Sequence, residues 1–307
     1  MRLLVTGAGG FIGAAMLRAA REAMPNATLY AGLRAPAALP VDAKMLVLGD
    51  LASAKPALPP LDAVINAAGL GHRRGLSAAL WTAQNVTAAA HLAMAARAAG
   101  AKRFVQISSA YVLGRAQPGP VTSTTPPAPA DFYAHSKLAG EQAVRAAFGE
   151  GVIILRPAPV LGAGAKGNLP RLMRLIAQGV PLPFGALANQ RSYVAVDDLA
   201  ALALTLLAAP PPAAPVLAAH PTPLTPPELC RALGEGLGRP ARLVPVAPIL
   251  LKTTLRGLGK SAIWQSLGEN FYIDPPDGPE GFLKLLENPA NSASSAARYY
   301  VTTSKTP

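Results

Sequence analysis

The stretch Thr6-Gly7-Ala8-Gly9-Gly10-Phe11-Ile12-Gly13 constrains this chain more than any other. Before it runs Leu3-Leu4-Val5, an apolar run that reads as a buried first strand. After it Met16, Leu17 and Ala20 continue an apolar helical pattern. Strand, glycine turn and helix in that order make a dinucleotide site. Gly7 permits the tight turn, Gly10 lets the backbone approach a pyrophosphate, and Gly13 lets helix and strand pack closely. The phosphates then meet the exposed amides at the start of the helix, around Phe11 and Ile12.

A chain of 307 residues has room for one large α/β unit and a smaller lobe. Its 51% hydrophobic content excludes a disordered chain. The net charge of +12 comes from 28 basic and 16 acidic residues that form no basic block, and aromatics are only 5%. Nucleic-acid binding is therefore not expected; a basic surface suited to an anionic substrate or cofactor is. The single cysteine, Cys230, excludes an internal disulfide, reads as a small buried residue, and suits a reducing cytoplasm. No signal peptide precedes the first strand, and the apolar run near 199–209 is too short to span a membrane, so no membrane insertion is expected.

Further strands are legible at Leu29–Leu33, Met45–Leu48, Ala63–Ile65, Phe104–Ile107 and Val152–Leu155. Arg34 follows the second, where a dinucleotide fold reads the adenosine ribose. An arginine there suits a 2′-phosphate, and no Asp or Glu lies between Glu22 and Asp42, so NADP(H) is expected with NAD(H) left open. Asp50 ends the third strand and is placed to touch the adenine edge, with a plain turn residue as the alternative. Asn66-Ala67-Ala68-Gly69 lets the chain pass close to a cofactor, so Ala67 joins the cofactor positions. Pro157, after Arg156 at the end of the sixth strand, is placed with them. His72-Arg73-Arg74 is a basic loop that either contacts phosphates or is simply solvated. A long alanine-rich helix is expected over 77–98, with Asn85 in its middle and bonded to the backbone of a neighbouring active-site strand. His91 on that helix has no second metal-ligand candidate nearby, and no metal is expected.

The fifth strand delivers Ser108-Ser109 at its C-terminal end, where ligands of open parallel sheets bind. Tyr133 and Lys137 are four apart on the next helix and share a face. An ammonium beside a phenol favours the phenolate. Lys137 can also hold ribose hydroxyls, and Ser109 can orient a substrate oxygen, so that proton and hydride move at one carbon. Tyr111 lies near Ser109 but has no lysine at helical spacing.

These residues resemble an extended short-chain dehydrogenase/reductase of the nucleotide-sugar epimerase, dehydratase and reductase group. Thr-Gly-x-x-Gly-x-x-Gly at 6–13, Asp50-Leu51, Ser109, Tyr133 and Lys137 match that group's motifs. The resemblance, over roughly 1–240, implies Ser109, Tyr133 and Lys137 as catalytic residues, supported by Asn85. It adds Leu51 to the cofactor positions. Asn168-Leu169-Pro170 and the Arg191–Leu199 segment resemble the nucleotide-sugar half, so Asn168 and Arg191 are expected on the diphosphate of a UDP-sugar. The sequence departs from the pattern at Asn66-Ala67-Ala68, at Ser123, where glutamate is common, and in lacking the usual Ser-Lys-Ala-Arg and Leu-Gly-Trp segments. Ala110-Tyr111 stands where the dehydratases carry Asp-Glu, which argues against 4,6-dehydration.

The expected architecture is α/β: a Rossmann-type doubly wound parallel sheet with a smaller, mixed C-terminal substrate lobe. The large domain is expected over 1–158, completed by 190–210; the substrate lobe over 159–189 and 211–287; a loose tail over 288–307. The expected activity is NAD(P)-dependent reduction at C4 of a UDP-4-keto-6-deoxy sugar. Its alternatives are a UDP-hexose 4-epimerase that retains NAD and a non-catalytic dinucleotide sensor. A cytoplasmic protein, compatible with a homodimer, completes the expectation.

Overall fold

The computed structural model describes residues 1–71, 75–165, 167–274 and 289–304. The chain divides into two units: 1–112, 126–157 and 196–218 in the first, and 113–125, 158–195 and 219–307 in the second.

The first unit is built on seven parallel strands, β1 (Arg2–Thr6), β2 (Thr28–Leu33), β3 (Lys44–Val47), β4 (Ala63–Asn66), β5 (Arg103–Ile107), β6 (Val152–Pro157) and β9 (Val216–Ala218), in the order β3-β2-β1-β4-β5-β6-β9. The order reverses between β1 and β4, the crevice at which open α/β sheets bind ligands. Inner strands of such a sheet are covered on both faces, so they are continuous apolar runs. Leu3, Leu4, Val5, Val64, Ile65, Val105, Ile153, Ile154 and Leu155 are fully buried accordingly. Leu4, Val64, Phe104 and Ile154 share one cluster with Leu92 and Ala96 of α3 (Ala88–Ala98) and Val144 and Phe148 of α4 (Phe132–Phe148). Helix α1 (Phe11–Ala23) packs against α6 (Val196–Ala208).

The helix expected over 77–98 is interrupted. It runs as α2 (Ala78–Thr82), a π-helical segment at Ala83–Thr87 and then α3. Asn85 lies in the π turn, the kind of local widening that places a polar side chain out of helical register.

In the second unit β7 (Val160–Leu161) pairs in parallel with β8 (Val194–Ala195). Its core gathers Leu161, Met173, Ile176, Leu182, Leu233 and Ala297, from β7, α5 (Leu169–Ala177), α7 (Pro226–Gly236) and α10 (Pro289–Ser304) among others. Cys230 is buried there, and desolvation pushes its thiol up to about 12, so it stays protonated and inert.

Four expectations differ from the structure. Residues 113–125 fall in the second unit, where Val121 pairs with Ile273 and bonds Tyr272. Residues 190–195, expected to complete the large domain, also fall there and contribute β8. Residues 216–218 instead join the large sheet as β9 beside β6. The expected loose tail forms α10 over the described residues 289–304, because Ala293, Ala296 and Ala297 make a buried small-residue stripe against α7. The contact is close: a Cβ on Gly236 would stand 2.0 Å from the Ser294 carbonyl oxygen.

One buried charge cluster ties the first unit together. Arg156 of β6 donates from Nε and Nη2 to the two carboxylate oxygens of Glu141 on α4, at 2.9 and 2.7 Å. Ser108 Oγ, just beyond β5, donates to the same carboxylate. Glu141→Gln would leave Arg156 buried without its counterion, a loss of about 3–5 kcal/mol. Urea denaturation should show that loss, and the double variant E141M/R156M should recover most of it.

Candidate active site

The glycine turn follows β1. Gly7 has φ +67°, and a Cβ there would lie 2.7 Å from the Ala67 carbonyl oxygen and 2.8 Å from the Ala68 nitrogen. A Cβ on Gly13 would lie 2.1 Å from the Gly7 carbonyl oxygen, so α1 can approach the turn only through glycine. Gly10 N donates to Gly7 O at 2.8 Å and closes the turn. No side chain caps the first turn of α1, which leaves its amides at Phe11 and Ile12 pointing toward whatever binds there. A turn packed so closely on backbone that Gly7 and Gly13 admit no Cβ, ending on an uncapped helix N-terminus, fits a dinucleotide pyrophosphate.

Thr6 does not offer its hydroxyl to a ligand. It is 1% exposed and donates to Asn66 Oδ1 at 2.6 Å. Asn66 Nδ2 donates in turn to Gln106 Oε1 at 2.8 Å, and Asn66 Oδ1 also accepts from Ala68 N at 3.2 Å. This polar ladder crosses the ends of β1, β4 and β5 and holds Ala67-Ala68 against Gly7.

The absence of acidic residues near Arg34 in sequence does not carry into space. Arg34 Nη2 donates to Gln84 Oε1 at 2.5 Å and lies 3.5 Å from Asp50 Oδ1. The parallel register of β2 and β3, Leu33 beside Val47, brings the two loops side by side. Asp50 accepts from Gln84 Nε2 and from Ala52 N, and these bonds, then the Arg34 charge, hold its carboxyl below the usual range. Leu51 is half-buried and its carbonyl oxygen meets His91 Nδ1 at 2.8 Å. Pro157 is buried at the end of β6, in register with Ala218.

Asp131 caps α4 by accepting from Ala134 N at 2.9 Å, which fixes the helix start just before Tyr133. Lys137 Nζ donates to the Ile107 carbonyl oxygen at 2.6 Å and so ties α4 to the end of β5, two residues before Ser109. Ser109 is buried, and its Oγ accepts from Tyr111 N at 3.2 Å. The half-buried Tyr133 ring stands edge-on to Trp81, centroids 5.8 Å apart. Asn85 Oδ1 accepts from Leu70 N at 2.7 Å, while its Nδ2 donates to Leu70 O and to Ser136 Oγ at 3.2 and 2.9 Å. Its partners are thus the loop after β4 and α4 rather than a strand. Burial pushes the Lys137 ammonium down to about 8, against the pull of the Glu141 carboxylate one turn further along.

The structure therefore gathers Ser109, Lys137, Asn85 and the glycine turn in one unit, with Tyr133 on the Lys137 face of α4. Asn168 and Arg191 belong to the other. Asn168 is the exposed residue before α5. Arg191 is 3% exposed, and its Nη1 donates to the carbonyl oxygens of Glu269 and Gln265 at 2.9 and 3.2 Å, with its guanidinium over the Phe271 ring. It anchors that turn rather than presenting itself at the surface. A cavity of about 720 Å³ lies beside the turn, lined by Gln117, Asn189, Lys252, Trp264, Glu269 and Asn270. Sequence reasoning did not single out Gln106 or Glu141, and it read Asn66, Ser108 and Arg156 without their hydrogen-bonding roles; a Glu one turn after Lys137 and an Arg closing an apolar strand were the available signals. His72-Arg73-Arg74 lies outside the described residues. Among the described residues no group of His, Cys, Asp and Glu is arranged to hold a metal ion.

Comparison with known proteins decides the family: residues 3–216 match the sequence profile of the NAD dependent epimerase/dehydratase family. The chain belongs to that family. It is 33% identical over 202 residues to a UDP-glucose 4-epimerase of Vibrio cholerae, covering 64% of this chain and 62% of that protein. It is 36% identical over 185 residues to a dTDP-4-dehydrorhamnose reductase of Mycobacterium tuberculosis, covering 58% and 56%. The chain thus matches about three-fifths of the length of these curated relatives. The solved structure of MoeE5 in complex with UDP-glucose and NAD superposes with a TM-score of 0.75 at 22% identity, over 99% of this chain and all of that one. A UDP-galactose 4-epimerase structure superposes with a TM-score of 0.74 at 19% identity, with the same coverage. These structures share the fold, including the lobe beyond the profile match. No helix among the described residues is long and apolar enough to cross a membrane.

The Lys137 ammonium is measurable without any ligand. Its folded value lies below the ordinary 10.5, so the unfolded chain holds the proton more tightly between the two. Stability carried by this group is therefore lowest below about pH 8 and rises as pH climbs toward 10.5. Lysine-selective NMR should show one ammonium titrating near pH 8 that is absent in Lys137→Met, and the variant should lose this rise in unfolding free energy.

Proposed function

We propose that this family member is an NAD(P)-dependent oxidoreductase acting at C4 of a UDP-linked sugar. The observation that carries the reading is the placement of Lys137, bonded to the Ile107 carbonyl, with Tyr133 one turn earlier on α4 and Ser109 two residues beyond Ile107. All stand at the C-terminal end of the sheet that also carries the glycine turn. Bound nicotinamide would supply or accept the hydride at C4. Ser109 Oγ holds and orients the sugar oxygen. Tyr133 moves the proton on that oxygen. A phenol with a free pKa of about 10 does this poorly at neutral pH, and the Lys137 ammonium on the same helix face favours its ionised form. Asn85 keeps the loop after β4 and the start of α4 in place through Leu70 and Ser136. In the second unit, the exposed Asn168 and the cavity beside the turn that Arg191 anchors are where the UDP portion is assigned. Arg191 acts there through the 265–269 backbone.

The direction we assign is reduction of a UDP-4-keto-6-deoxy sugar with NADP(H), since the Arg34 side chain is 64% exposed and has guanidinium donors to spare for a 2′-phosphate. A second reading, a 4-epimerase that keeps NAD, is favoured by the Asp50 carboxylate 3.5 Å from Arg34, which offsets that charge. Purified protein separates the two. Stoichiometric NADPH consumption with a UDP-4-keto-6-deoxyhexosamine, and no interconversion of UDP-glucose and UDP-galactose, is expected. Interconversion sustained by unconsumed NAD would replace the reductase with the epimerase, and binding without turnover would leave a dinucleotide sensor. Tyr133→Phe should lower turnover roughly 10²–10⁴-fold with cofactor affinity retained. Arg34→Ala should weaken NADPH binding far more than NADH binding in a fluorescence titration; equal losses would remove the NADP assignment.

A further inference from the structure

Helix α8 (Pro248–Gly257) buries none of its residues. Leu251 and Leu255, one turn apart, are half-buried and mark the side turned to the protein. Ile249 and Leu250 are 64% and 60% exposed, Leu258 just beyond the helix is 62% exposed, and Val244 before it is 43% exposed. Isolated surface aliphatics need no explanation, but here they crowd one short segment.

The same segment has an unusual charge. Between Glu235 and Glu269 there is no acidic residue, while Arg239, Arg242, Lys252, Arg256 and Lys260 all fall in it. Arg239 and Arg242 donate to the carbonyl oxygens of Ala177 and Gly179, and Lys252 lies over Trp264 and 3.9 Å from Glu269. Arg256 and Lys260 are exposed beside the aliphatic residues.

Aliphatic groups and cations on one exposed edge match an anionic bilayer surface, which takes the first into the headgroup boundary and pairs the second with lipid phosphates. A nucleic acid would use only the cations. A second copy docking through the same edge would bring two positive faces together. We infer that α8 and the adjoining Arg256–Lys260 edge dock this protein peripherally on an anionic lipid surface.

Vesicle flotation of the full chain tests this without reference to its activity. The protein should float with phosphatidylcholine vesicles containing phosphatidylglycerol, stay behind with pure phosphatidylcholine, and dissociate as salt rises. Each basic residue near such a surface contributes about fivefold to partitioning, so R256E/K260E should lower it at least about twentyfold. I249D/L250D should abolish flotation. Reversing two exposed charges of the other unit, K44E/K55E, should have a much smaller effect. All three pairs lie at exposed positions, and an unchanged thermal unfolding transition checks that each folds; if I249D/L250D does not, the comparison of the two charge pairs decides. The inference is overturned by failure to bind anionic vesicles, by equal losses from both charge pairs, or by a dimer in light scattering that I249D/L250D splits into monomers.

Discussion

The Glu141 carboxylate is the interaction on which the proposed catalytic arrangement depends. It is buried on α4, takes both Arg156 donors from β6, and accepts from Ser108 at the end of β5. One group thus joins the helix that carries Tyr133 and Lys137 to the two strands beside it. Such a pair stabilises little compared with an apolar packing of equal volume, but losing either partner is severe. Its value lies in fixing geometry: Ser108 is the neighbour of Ser109, and Glu141 is one turn from Lys137. The same carboxylate opposes the desolvation that lowers the Lys137 ammonium.

The cofactor side is fixed by a different means. At Gly7 and Gly13 the requirement is absence of a side chain, because backbone atoms of Ala67, Ala68 and Gly7 occupy the space a Cβ would take. The Thr6–Asn66–Gln106 ladder then locks the strand ends in register. These contacts define the turn within the protein itself, which reduces the conformational freedom to be lost on binding.

Much of the first unit was legible because its signals are local. Apolar runs of three to five residues marked the strands, and glycines at fixed spacing marked the turn. Tyr133 and Lys137 were legible for the same reason, as helical neighbours. The second unit was harder to read. Its β7 and β8 are two residues each, and its core is assembled from segments far apart in sequence. The 288–307 stretch read as polar because serines and threonines surround the alanine stripe that α7 covers.

Sequence alone determined the strand-turn-helix start, the order of the parallel strands' residues along the chain, and the sharing of one helix face by Tyr133 and Lys137, since each rests on periodicity or short spacing. Tertiary structure decided what lies beside what. It set Asp50 against Arg34, although sixteen residues separate them, because β2 and β3 run in register. It took Arg191 out of reach and spent its donors on carbonyls of a turn more than seventy residues away. It also placed Glu141 against Arg156 and left the face of α8 uncovered. Charge pairing and burial are properties of neighbours in space, and a sequence names those neighbours only when they are also neighbours in the chain.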